Sequence, residues 1–385
     1  MAGRGRRAVA AAVLGVLALV TAGCAEFPDS GPREWRDKLE GTGELGGPPL
    51  VPTPPPPTPQ QPGGGSAGES GTSPPSGCVD PDPQVVATCL EPVGAVAVLP
   101  DSVSALVAER ATGRVLRVQR GTDPQLVATV PTDASGGGGL TGLVLSPSYV
   151  EDQLVYAYVS TPTDNRVVRI AAGEPAKPVL VGIPRGATNN GGTLGVDVDG
   201  SLLVATGDAG QPAAAGSLAG KVLRIDTLGR PARGNPDPAS PVLSSGLRAP
   251  GGICTDPVTT MTWVTDRTAT QDVLHLLVPG PLPSPAWTWP ERPGVAGCMA
   301  QPGLVTIAQS DARALFVLRP GDNGAFTGAP ETILRDTYGR LTAAALAPDG
   351  LLWLGTANKT GGIPVPADDR VIRIQPPAAG GESRA

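Results

Sequence analysis

The sequence predicts an all-β fold, a six-bladed β-propeller, preceded by a signal peptide and a Pro/Gly-rich disordered tether. Three observations carry this. Gly (53) and Pro (45) are abundant among 385 residues while aromatics are 3%, which favours a turn-rich β protein over a helical bundle. After residue 30 no long stretch keeps a helical period. From residue 93 onward a unit of short apolar strands recurs. Its second strands centre near Val107, Ala157, Val204, Val264, Ile307 and Leu354, at intervals of 50, 47, 60, 43 and 47 residues by subtraction. That period, with three or four strands per unit, is a propeller's signature, and a sandwich or solenoid explains it less well.

The chain begins with Arg4, Arg6 and Arg7, followed by an apolar run from Ala8 to Val20. A positive start and a short apolar core read as an export signal over 1–23, too short for a comfortable bilayer span. Thr21-Ala22-Gly23-Cys24 resembles a lipobox, although Thr21 stands where Leu or Val is usual. The expectation is a diacylated Cys24, a palmitate-type anchor holding the protein on the extracytoplasmic face of the cell membrane. Ordinary signal-peptidase cleavage is the alternative. Residues 24–77 contain VPTPPPPTPQQPGGGSAGESGTSPPSG, stiff in its Pro half and loose in its Gly/Ser half, with too few apolar residues for a core. The propeller is expected over 78–376, and a disordered tail over 377–385.

Setting Cys24 aside leaves Cys78, Cys89, Cys254 and Cys298. Four cysteines allow three pairings, and proximity in sequence favours Cys78–Cys89 with Cys254–Cys298. No CxxC or histidine cluster suggests zinc. The net charge of -6, without a basic block beyond the N-terminal arginines, argues against nucleic acid as a partner.

Within each unit the first strand ends in a turn, as in GTLGVDVDG. The second runs into a polar loop, as in LLVATGD, and the third often carries an arginine between apolar residues, as in GKVLRI. Several segments in order then resemble the soluble glucose/sorbosone dehydrogenase-like propellers that use pyrroloquinoline quinone (PQQ). They are GGGLTGLVLSPSY, VYAYVSTPTDNRVVRI, NNGGTLGVDVDGSLLVATGDAG, SLAGKVLRIDTLGRPARGNP and YGRLTAAALAPDGLLWLGTANKT. With the lipobox, the tether and AERATG, the whole also resembles actinobacterial lipoproteins of the LppZ type.

The resemblance implies a catalytic histidine, a calcium ion held partly by turn carbonyls, and cationic side chains for the quinone carboxylates. The histidine would fall at Asn189, whose amide cannot act as a base. The only histidine, His275 in VLHLLV, reads as structural. Asp266-Arg267-Thr268-Ala269 stands where the family has a Gly-Pro turn; Asp266 is a candidate cation ligand or a turn cap. Arg248 and Arg340 are kept as candidate cofactor- or ligand-binding cations, but Ala249 stands where the family usually has an asparagine and Thr342 where it has a second arginine. Asn190, adjoining Asn189, joins this set; Arg185 adds positive charge to the same rim, and Asp208 reads as a turn residue.

Three functions follow as expectations. The first is an envelope propeller that binds a ligand, a carbohydrate or a protein partner without oxidising sugar. The second is a PQQ/calcium-dependent aldose dehydrogenase using another base, with Asp164, Asp197 and Asp266 as candidates. The third, a calcium-dependent lactonase, needs convergent carboxylates that the sequence does not display.

Overall fold

The computed structural model describes residues 78–378, apart from 212, 213, 215 and 363. The predicted signal, Cys24, the linker and most of the predicted tail lie outside the described residues. Those described form six sheets, antiparallel but for one short added strand, the six blades the repeat predicts. Each second strand sits where expected: Ser104–Glu109, Val155–Ser160, Leu202–Thr206, Thr262–Arg267, Leu304–Gln309 and Leu352–Thr356.

These second strands read as near-continuous apolar runs because neighbouring blades cover both of their faces. Five of the six are buried along their whole length, and the sixth is exposed only at its last residue, Arg267. Outer strands such as Gln125–Thr129 are largely solvated. The inner strands pack more closely than ordinary side chains allow. A Cβ on Gly252 would lie 2.6 Å from the Cys298 nitrogen, and one on Gly297 would lie 2.6 Å from the Ala344 nitrogen. Glycine at these positions lets adjacent inner strands approach around the axis.

The arginine of the third strand has a recurring partner. Arg117 meets Asp101, Arg224 meets Asp197 and Asp199, and Arg373 meets Asp349. In each case the acid comes from the turn between the first and second strands, so the repeated aspartate and arginine are one bracing device. Asp197 is 2.7 Å from the Arg224 Nε.

Ring closure falls to the last sheet. Val85–Ala87 pairs antiparallel with Val371–Ile374, so the segment just before blade one supplies the outer strand of the sixth blade. Cys78 and Cys89 are disulfide-bonded on either side of that strand, and Cys254–Cys298 joins the inner strands of blades four and five. Both are the pairings favoured by sequence. Blade three gains a fifth strand, Gly280–Pro281, parallel to Val242–Ser245, which the repeat did not foretell. Among the described residues no helix is long and apolar enough to cross a membrane.

Candidate functional site

Every inner strand begins at one face of the ring, and there a cavity of about 110 Å³ opens on the axis. Val93, Gly94, Gly192, Pro250, Gly251 and Thr342 bring the strand starts to its wall. Small residues predominate here because six strands converge, and the charged and hydroxyl lining comes from strand ends and the loops that follow them. That lining consists of the Arg110, Arg267 and Arg340 side chains with the hydroxyl residues Thr141, Ser310 and Thr360. Among the described residues no Asp or Glu lines the cavity.

Asn189 sits beside this cavity rather than in its wall. Its backbone nitrogen lies 3.7 Å from where a Cβ on the wall residue Gly137 would stand. It adopts a left-handed backbone with φ 55°, which asparagine tolerates better than most residues. Its Nδ2 donates to Asp208 Oδ1 at 2.8 Å. The backbone nitrogen of Asp208 in turn donates to the Arg248 carbonyl at 2.8 Å, and the Arg248 nitrogen donates to Asp266 Oδ2 at 2.9 Å. Four residues singled out from the sequence thus form one hydrogen-bonded chain across blades three and four.

Within that chain Asp266 is wholly buried and serves as a cap. It accepts from the backbone nitrogens of Arg248 and Ala249, the latter at 2.6 Å. Burial pushes its carboxyl up to about 6, against the pull of those two N–H groups and of the Arg267 charge. Arg248 spends one Nη on the Arg267 carbonyl at 3.3 Å and does not line the cavity.

Asn190 faces inward and is fully buried. Its Nδ2 donates to the carbonyls of Gly136 and Gly186, and its Oδ1 accepts from the Gly186 nitrogen at 2.8 Å. Its amide is consumed in holding the loops of blades two and three together. Arg185 is held by Asp133 and Ser135. Asp164 accepts from Arg166, Thr161 and the Gly182 nitrogen, a closed turn network. Asp197 lies at the opposite ends of the strands from the cavity, paired with Arg224. His275 is buried in the third strand of blade four, opposite Val264, and burial holds its pKa below the ordinary value.

Arg340 is the one predicted site residue whose side chain lines the cavity, and its Nη2 is 2.8 Å from Asp311 Oδ1. Two arginines not singled out from the sequence join it. Arg110 stands at the end of a second strand, its Nε donating to the Gly138 carbonyl at 2.9 Å. Burial and the like charge of Arg267 lower its pKa. Arg267 ends the second strand of blade four. The signal available was positional: both follow an acidic residue at the end of a second strand, Glu109 and Asp266.

This donor set suits carboxylates or other oxyanions, which the guanidinium fork matches in shape and charge. The quinone carboxylates implied by the resemblance fit it. A calcium ion in the cavity does not, since three guanidiniums face it and both Asp266 oxygens are spent on backbone N–H groups. Among the described residues no group of three or more His, Cys, Asp or Glu side chains is placed to hold a metal.

A six-bladed ring with a cationic axial cavity defines the class, and sequence comparison agrees. Residues 90–290 match the family described as glucose/sorbosone dehydrogenase. The chain belongs to that family. It is similar to the PQQ-bound aldose sugar dehydrogenase of Streptomyces coelicolor, with 31% identity and a TM-score of 0.70, over 76% of this chain and 96% of that one. The soluble aldose sugar dehydrogenase of Escherichia coli shares the fold at 20% identity and a TM-score of 0.64, over 75% and 98% of the two chains. An uncharacterized protein of Synechocystis sp. is 32% identical over 200 residues, 42% of this chain and 48% of that protein's length.

Proposed function

We propose that this protein is a lipid-anchored propeller of the extracytoplasmic membrane face that uses the family's axial site to bind a ligand rather than to oxidise sugar. The observation that carries the reading is Asn189. At the position of the expected base stands an amide that donates to Asp208, and a base must accept a proton instead. Among the described residues no other base takes its place in the cavity wall, where the titratable side chains are arginines. Purified protein supplied with PQQ, calcium and a panel of aldoses should give no dye reduction above a protein-free control. Sugar-dependent turnover that tracks protein concentration would overturn the reading.

One observation favours the second reading, a PQQ-dependent aldose dehydrogenase with another base. It is the 31% identity to the quinone-bound Streptomyces enzyme across nearly that whole chain. The same assay separates the two. For the anchor, Cys24→Ser should move the protein from the membrane fraction to the soluble one, and unchanged membrane retention contradicts it.

A further inference from the structure

The cavity's charges are unevenly balanced. Arg340 has Asp311 as a counter-ion, but among the described residues neither Arg110 nor Arg267 has a carboxylate within ion-pair distance. Arg110 has one neutral carbonyl partner, at 2.9 Å from its Nε, and a second cation acting on it. The nearest carboxylate to Arg267 along the chain is Asp266, whose oxygens are turned to the backbone of Arg248 and Ala249. Arg110 is a half-buried charge without an opposite partner, which costs stability, and the like charge of the exposed Arg267 in the same cavity adds to that cost. Such an arrangement is stabilised when a ligand supplies the missing negative charge.

Size and surroundings narrow that ligand. At about 110 Å³ the cavity is below the few hundred Å³ of sites that engulf a drug-sized molecule. It admits a compact head group, with any remainder of the ligand standing over the rim. Thr141 and Thr360 share its wall with the guanidiniums and offer neutral donors, while the Ser310 hydroxyl donates to the Gly294 carbonyl at 3.1 Å.

Resting on the reading of this face as a binding site, we infer that Arg110 and Arg267 jointly hold a compact, doubly charged oxyanion of the phosphate type, without a metal. The shared chemistry is that of free inorganic phosphate and of a sugar phosphomonoester, and the two are separate arms of the test.

The test is calorimetric titration of the detergent-extracted full chain in chloride buffer with EDTA, using inorganic phosphate, glucose 6-phosphate and glucose in turn. We expect saturable one-to-one binding of at least one phosphate probe, none of glucose, and no tightening when calcium replaces EDTA. Phosphate alone binding identifies the free ion as the ligand; tighter binding of glucose 6-phosphate identifies the monoester. Arg110→Gln and Arg267→Gln should each weaken binding at least tenfold, while Arg313→Gln, in an exposed pair with Asp336, leaves it unchanged. If Arg110→Gln fails to fold, Arg267→Gln decides, because that side chain is exposed and supports no core. Binding of neither phosphate, binding that survives both substitutions, or binding that requires calcium overturns the inference. Failure here leaves the dye assay untouched, because no quinone or aldose turnover is measured.

Discussion

Asp266 couples the stability of the fold to pH. Its ordinary value is 3.8, and burial pushes it up to about 6 in the folded protein. Between these values the folded state keeps a proton that the unfolded state releases. Its contribution to stability is therefore greatest below pH ~4, falls as pH rises to ~6, and is level above that. Asp266→Asn should remove that component. Urea unfolding at several pH values would show a smaller decline from pH 4 to pH 6 in the variant than in the wild type; an identical decline contradicts the assignment. The same residue shows why side-chain roles were hard to read from sequence. A carboxylate beside a turn reads equally as ligand or cap, and only the N–H groups of Arg248 and Ala249 decide. Arg110 was missed for a related reason, since an arginine in AERATG looks like any solvated loop residue until six strands bring that loop to the axis.

At the scale of elements the sequence was most legible where burial is two-sided. All six second strands were placed because their apolar runs have no solvent face to interrupt them. The closing strand Val85–Ala87 was not placed, since three apolar residues carry no period and its partner lies almost 290 residues away. Gly280–Pro281 was illegible for the same reason. Cysteine parity succeeded because the inner strands of blades four and five lie side by side, with Cα atoms of Cys254 and Cys298 5.7 Å apart. That bond closes a loop of 44 residues, which on chain entropy stabilises the fold by about 4 kcal/mol. Cys254→Ser with Cys298→Ser should therefore lower the urea midpoint clearly. An unchanged midpoint would show that the inner-strand packing at Gly252 and Gly297 already fixes this junction.

For the whole molecule, the axial cavity exists only while the ring is shut, so the closure between the two ends of the propeller also governs its binding face. The sixth blade is made from both ends of the propeller. Val85, Val86 and Leu90 are buried there, and Tyr338 Oη is 2.7 Å from Asp82 Oδ2. Across the seam Thr342 Oγ1 donates to the Val93 carbonyl at 2.7 Å, joining blade six to blade one beside the cavity wall. Burying three such aliphatic side chains is worth roughly 5 kcal/mol or more, comparable to the net stability of an ordinary domain. A chain begun at Pro92 lacks these groups and exposes the edge of Val371–Ile374. Compared with a chain begun at residue 78, it should lose its cooperative urea transition or shift it by several kcal/mol. It should also lose the oxyanion binding inferred for Arg110 and Arg267, because Arg110 stands on blade one, next to this seam. Retention of both would show that the five complete blades and the inner three strands of the sixth close the ring without the N-terminal strand.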